Sequence, residues 1–161
     1  MEEETAGDPA AVAELNARRK AAAVPGELVL GADTVVALAG TIYGKPVDEA
    51  QAREYLRALS GRTHEVIGAI ALARDGEIVA TAVETTRVTF KALDDAALNA
   101  YVATGEWEGR AGGYAIQGAG AALVRSITGD YLNVVGLPVA ALIELRPELT
   151  ENFAAPARPR G

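Results

Sequence analysis

The apolar positions of this chain change period several times, and each change marks an element. From Asp8-Pro9 the run AAVAELNARRKAAAV predicts a helix. Asp8 is placed to cap it, Pro9 suits its first turn, and Val12, Leu15 and Ala22 or Ala23 share one face. Pro25-Gly26 then ends it. ELVLGADTVVALAG is apolar and β-branched, and Gly40 turns the chain into Thr41-Ile42-Tyr43. This predicts a buried strand and a hairpin returning toward Gly44-Lys45-Pro46, with the residues of chemical interest at the strand ends. Asp48 opens a second amphipathic helix, DEAQAREYLRALSG, in which Ala52, Tyr55, Leu56 and Leu59 recur at three-and-four spacing before Gly61.

The segment HEVIGAIALARDGEIVATAVETTRVTF holds two long β-rich runs joined at Asp75-Gly76, a favoured pair for a two-residue hairpin turn. LDDAALNAYVATGEW predicts a capped helix ended by Gly105, and GRAGGYAIQGAGAALV is a glycine-rich stretch leading into a short strand. LNVVGLPVAALIELRPEL predicts a final helix after Pro138, and ENFAAPARPRG reads as a frayed tail. No internal repeat is visible. Helices alternating with strands, one pair of them an evident antiparallel hairpin, predict an α/β or α+β domain with a mixed sheet.

Composition narrows the classes. At 161 residues the chain is one ordinary domain, able to bury a core without disulfides or a structural metal. Its net charge of −7, with no basic run interleaved with aromatics, argues against a nucleic-acid polymer as partner. A small phosphorylated ligand remains compatible, because local cations and a divalent metal decide such binding. The absence of cysteine removes a disulfide framework, a thiol nucleophile and a Cys-based zinc site together. MEEETAGDPA lacks the basic and apolar regions of a signal peptide, and no apolar run approaches the ~18 residues of a membrane span. The expectation is a cytoplasmic protein without a membrane partner.

Four places carry candidate chemistry. Asp33, in GADTVV, is a carboxylate able to bind Mg²⁺ or take a proton from water, or simply a cap or turn residue. Lys45 lies in GTIYGKP, which is not a phosphate loop: three residues separate Gly40 from Gly44, and Pro46 follows the lysine. RAGGYAIQGAGA sets Arg110 and Gln117 beside glycines that let backbone approach a ligand or simply make turns. His64, the only histidine, is read as structural, so any catalysis should rest on carboxylates, a metal and cations.

Taken in order, these pieces resemble the Maf family. The resemblance runs from about residue 8 to about residue 146 and rests on AxxKA at 17–21, GADTVV at 31–36, GKP at 44–46, LSGRTHEV at 59–66, VTF at 88–90, TGE at 104–106, AGGYAIQG at 111–118 and NVVGLP at 133–138. It implies a Maf-like (ITPase-like) mixed sheet flanked by helices over residues 1–149, followed by a flexible tail over 150–161. It further implies hydrolysis of a nucleoside triphosphate between its α and β phosphates, with Mg²⁺ or Mn²⁺ as cofactor, and a homodimer. Asp33 matches the family's catalytic carboxylate and a metal ligand, and Lys20 and Lys45 match lysines facing the triphosphate. Thr34 and Gln117 match positions of base choice, and the Ala-Asp-Thr and Ile-Gln-Gly pairing resembles the branch acting on dTTP and UTP. Arg110 stands where the family usually has lysine, keeping the charge but changing a point into a planar fork. Trp107 replaces a frequent proline.

A third departure is larger. The family begins with an apolar strand and a Ser-x-Ser-Pro-Arg-Arg segment that opens a helix, and nothing before Asp8 resembles it. Arg18 and Arg19 lie in the AxxKA helix and are not its counterparts. The family's acidic Asp-Glu is matched by Glu2-Glu3, with Glu3 as the second metal ligand. The expectations are therefore an N-terminal strand and helix missing from this chain, a start assigned too far downstream as the cause, and weak activity or solubility for the 161 residues alone. The alternative to an active enzyme is a silent nucleotide-binding remnant or a regulator connected with cell division.

Overall fold

The computed structural model describes residues 3–154. Five strands, β1 (Val29–Leu38), β2 (Thr41–Tyr43), β3 (Thr63–Arg74), β4 (Glu77–Phe90) and β5 (Val124–Thr128), form one sheet in the order β2-β1-β3-β4-β5. The helices are α1 (Pro9–Ala22), α2 (Glu49–Leu59), α3 (Asp95–Ala103), α4 (Tyr131–Val135) and α5 (Val139–Leu145). Short 3-10 helices occupy Ala111–Gly113, Ala119–Leu123 and Pro147–Ala154. Of the tail expected after residue 149, residues 155–161 lie outside the described range, as does Glu2.

Local chemistry explains most boundaries. The side chains of Asp8, Asp48, Asp94 and Asp130 each accept a backbone N–H in the first turn of the helix that follows, filling a donor the helix cannot satisfy itself. Asp75 and Gly76 both take positive φ, 50° and 83°, the geometry a tight β3–β4 hairpin requires. The run VIGAIALA lies in the centre of the sheet, where β3 pairs with β1 on one side and β4 on the other, and its side chains are buried on both faces. That is why it reads as continuous rather than alternating.

The α/β class follows as expected, with helices on both faces of the sheet. Every pairing among the described strands is antiparallel, however, where a mixed sheet was expected. β2 and β3 point the same way and are linked through α2, but β1 lies between them, so the crossover creates no parallel hydrogen-bonded pair.

Two apolar clusters result. On one face α1 lays Val12, Ala13, Ala17 and Ala21 against Val35, Ala37, Ile67, Ala69, Ala71 and Ala73. On the other, Leu56 and Leu59 of α2 and Leu98, Tyr101 and Val102 of α3 meet Val36, Val66, Val88 and Phe90. The buried face of α1 differs from the one expected: Leu15 is 37% exposed, and Ala22 and Ala23 are exposed as well. The reason is close approach. A Cβ on Gly31 would strike the Ala17 carbonyl oxygen and sit 2.5 Å from the Ala21 amide, so only the alanine stripe of α1 fits over β1.

Candidate active site

Alternation along β1 sorts its residues. Gly31, Asp33, Val35 and Ala37 face α1, whereas Thr34 and Val36 face the opposite layer. Asp33 sits mid-strand, not at a strand end as expected. It is accessible because β2 pairs only with Val36–Leu38, leaving β1 at Asp33 and Thr34 without a partner on that edge among the described residues.

The Asp33 carboxylate is held at both oxygens by one helix. Asn16 Nδ2 donates to Oδ2 at 3.0 Å and Lys20 Nζ to Oδ1 at 3.2 Å. Asn16 and Lys20 lie four residues apart on α1, so both reach the same spot. Asn16 is 2% exposed and fully used: Nδ2 also donates to the Glu4 carbonyl at 2.9 Å, and Oδ1 accepts the Glu4 amide at 2.7 Å. It therefore ties the segment carrying Glu3 to Asp33. Sequence reasoning missed Asn16; its one signal was the four-residue spacing to Lys20.

Glu3 joins the two lysines. Its Oε1 lies 2.6 Å from Lys20 Nζ and 3.7 Å from Lys45 Nζ. The hydrogen bond from Lys20 holds the Glu3 carboxyl below its ordinary value, outweighing partial burial. Burial works against the charged form of Lys20, but its contacts with Glu3 and Asp33 prevail and leave its pKa raised. Arg18 pairs with Glu14 at 3.0 Å instead and takes no part.

A cavity of about 230 Å³ is lined by Lys20, Asp33, Thr34, Lys45, Arg110 and Gln117, together with Val36, Val66 and Tyr114. All six residues singled out for catalysis or substrate contact thus meet, although they come from α1, β1 and two separate loops. Thr34 Oγ1 donates to the Gly136 carbonyl at 3.5 Å, a long bond. Gly112 donates to the Gly44 carbonyl at 3.0 Å, coupling the AGGY turn to the GKP turn that carries Lys45.

His64 takes the structural role expected of it. It is buried, with Nε2 2.6 Å from the Tyr114 hydroxyl and the ring edge-on to Phe90 and Tyr114. Burial pushes its pKa down to about 4. It supports the cavity wall through Tyr114.

Among the described residues, no group of three or more His, Asp or Glu is arranged to hold a metal ion. The donor set that is present, Asp33 and Glu3 gathered around one ammonium, places two carboxylates where positive charge is already held. Two carboxylates with phosphate oxygens and water completing the shell is the way Mg²⁺ is commonly bound, so the residues fit such an ion.

The sequence model described as Maf-like protein matches residues 1–149. A dTTP/UTP pyrophosphatase of Pyrococcus furiosus is 47% identical over 121 residues, covering 75% of this chain and 63% of that protein. One from Anaeromyxobacter dehalogenans is 51% identical over 127 residues, covering 77% and 66%. Another, from Paramagnetospirillum magneticum, is 52% identical over 135 residues, covering 83% and 70%. The chain thus spans just under two thirds of the length of the first two relatives.

Proposed function

The chain belongs to the Maf-like protein family, and from that premise we propose that it is a nucleoside triphosphate pyrophosphatase acting on dTTP and UTP. The observation that carries the reading is the convergence of Asp33, Lys20 and Lys45 with Thr34, Arg110 and Gln117 on one cavity. It brings an oriented carboxylate, cations and hydrogen-bonding groups to the same cavity.

In this reading Asp33 accepts a proton from water as the water oxygen adds to the α-phosphorus. The bond from that phosphorus to the oxygen bridging toward the β-phosphorus breaks, and its electron pair leaves with pyrophosphate; the nucleoside monophosphate remains. Asn16 and Lys20 fix the carboxylate beforehand, so no reorientation is needed at the moment of transfer. Lys20 and Lys45 neutralise charge on the phosphates. A divalent ion, Mg²⁺ or Mn²⁺, held by Asp33 and Glu3 would supply further neutralisation of the phosphate oxygens. The Gln117 amide, which also lines the cavity, offers both a donor and an acceptor, as a pyrimidine edge requires. Arg110 adds a planar cation to the lining.

The test is product analysis with dTTP, UTP and GTP, comparing the chain with Asp33→Asn. Monophosphate and pyrophosphate should form from the pyrimidines in preference to GTP, and the variant should lose about 10²–10⁴ in rate. Equal turnover by Asp33→Asn, or release of a diphosphate and orthophosphate, would overturn the assignment.

A further inference from the structure

Gln117 sits in a segment between two short 3-10 helices, and a single carboxylate behind the cavity organises that segment. Glu106 Oε1 accepts the Gly120 amide at 2.9 Å and the Tyr101 hydroxyl at 2.8 Å, while Oε2 accepts the Ala119 amide at 3.0 Å. The Tyr101 oxygen in turn accepts the Ala115 amide at 3.1 Å. Backbone donors on both sides of Gln117 therefore end on one relay, Glu106 with Tyr101.

The fit leaves no slack. A Cβ on Gly118 would lie 2.6 Å from the Glu106 carboxyl carbon and one on Gly120 would lie 2.9 Å from the Ala115 carbonyl carbon, so glycine lets the loop close onto the carboxylate. Tyr101 is 4% exposed and anchored on α3, which gives the relay a rigid base. Burial by itself would raise the Glu106 carboxyl, but the Gly120 amide, the Tyr101 hydroxyl and the Ala119 amide keep it below the ordinary carboxylate range. Glu106 is not among the residues lining the cavity.

We propose that Glu106 is a positioning residue for base selection: through Tyr101 and the amides of 115, 119 and 120 it fixes the loop so that the Gln117 amide meets a pyrimidine edge. The proposal rests on the dTTP/UTP reading above and adds a specificity determinant to it. Because Glu106 acts on the loop and not on the phosphates, its loss should affect which base is accepted more than how fast the bond breaks.

The experiment compares the chain with Glu106→Gln and with Tyr101→Phe, which removes the Ala115 link and the hydroxyl's own bond to Glu106 but leaves the 119 and 120 amides on the carboxylate. Steady-state constants are measured for dTTP, UTP and GTP, together with amide hydrogen exchange at residues 115, 119 and 120. Glu106→Gln should raise KM for the pyrimidines by about tenfold with kcat within about threefold, lower the pyrimidine preference, and speed exchange at those amides. Tyr101→Phe should reproduce a smaller part of the same pattern, and it carries the test if Glu106→Gln does not fold. A uniform fall in kcat with the base preference kept would reduce Glu106 to a structural role and overturn the proposal. Unchanged exchange in both variants would also overturn it. A parent chain inactive on every nucleotide overturns the dTTP/UTP reading instead, and exchange still reports whether Glu106 orders the loop.

Discussion

Asn16 donates to Asp33 across 17 residues of sequence, and the same amide holds both backbone groups of Glu4. One buried side chain thus orients the proposed base and docks the segment that supplies Glu3. Replacing Asn16 with alanine should slow pyrophosphate release by about 10- to 100-fold, since the carboxylate loses one of its two fixed partners. Stability should fall by about 1–3 kcal/mol, because a buried donor and acceptor lose their mates. Kinetics combined with urea denaturation checks both, and an unchanged rate would remove Asn16 from the site.

The Glu3–Lys20 contact predicts a pH dependence of known sign. Glu3 is lowered on folding from 4.5, so its contribution is present above 4.5 and fades as pH falls through its folded value. Lys20 is raised from 10.5, so its contribution is present below 10.5 and fades only as pH climbs through the higher folded value. Both side chains are about one-third exposed, 33% and 35%, so solvent screening limits the pair to at most ~1 kcal/mol. The urea midpoint of Glu3→Gln should therefore sit slightly below that of the parent chain near neutrality. The gap should close in acid, and a gap that widens there contradicts the pairing.

His64 gives the stronger acid effect. Its pKa falls from 6.5 to about 4 on burial, so the stability associated with its neutral form is complete above 6.5 and is lost as pH drops toward 4. At about 1.4 kcal/mol for each tenfold change, that interval is worth roughly 3 kcal/mol as an order of magnitude. His64→Gln can keep a hydrogen bond to Tyr114 without titrating, and its denaturation midpoint should vary less over this interval. An identical loss of stability in both proteins would place the acid sensitivity elsewhere.

Gly31→Ala tests how the close approach of α1 bears on the site. The added methyl would meet the Ala17 carbonyl oxygen and lie 2.9 Å from the Ala21 methyl, so α1 must move away from β1. A cost of about 1–3 kcal/mol in stability is expected from the overpacking. Activity should fall further than stability explains, because α1 carries Asn16 and Lys20 onto Asp33. Thermal melts and pyrophosphate release measured on the same preparation separate the two effects, and a variant with full activity would show that α1 can shift without disturbing Asp33.

Much of this protein is written locally. Aspartates before helices, Asp75-Gly76 between apolar runs and the unbroken VIGAIALA each specify an element through neighbours within a few positions. The ordered motifs around Asp33, Lys45 and Gln117 carry the family's pattern, and residues 1–149 match it. Other features depend on contacts between distant segments. The apolar period of α1 points to a face of Val12, Leu15 and Ala22 or Ala23, but Gly31 beneath Ala17 turns the alanine stripe inward, keeping Val12 buried and leaving Leu15 exposed. Asn16 was one polar residue in a helix until the strand brought Asp33 to it, and Glu106 was part of a short TGE motif until the glycine-rich loop folded onto its carboxylate. Caps, turns and apolar period are decided by covalent neighbours, so the sequence alone determined the elements and the residues worth watching. Which face is buried, and which oxygen a donor reaches, depends on how closely two elements can approach, and only the tertiary structure decided that.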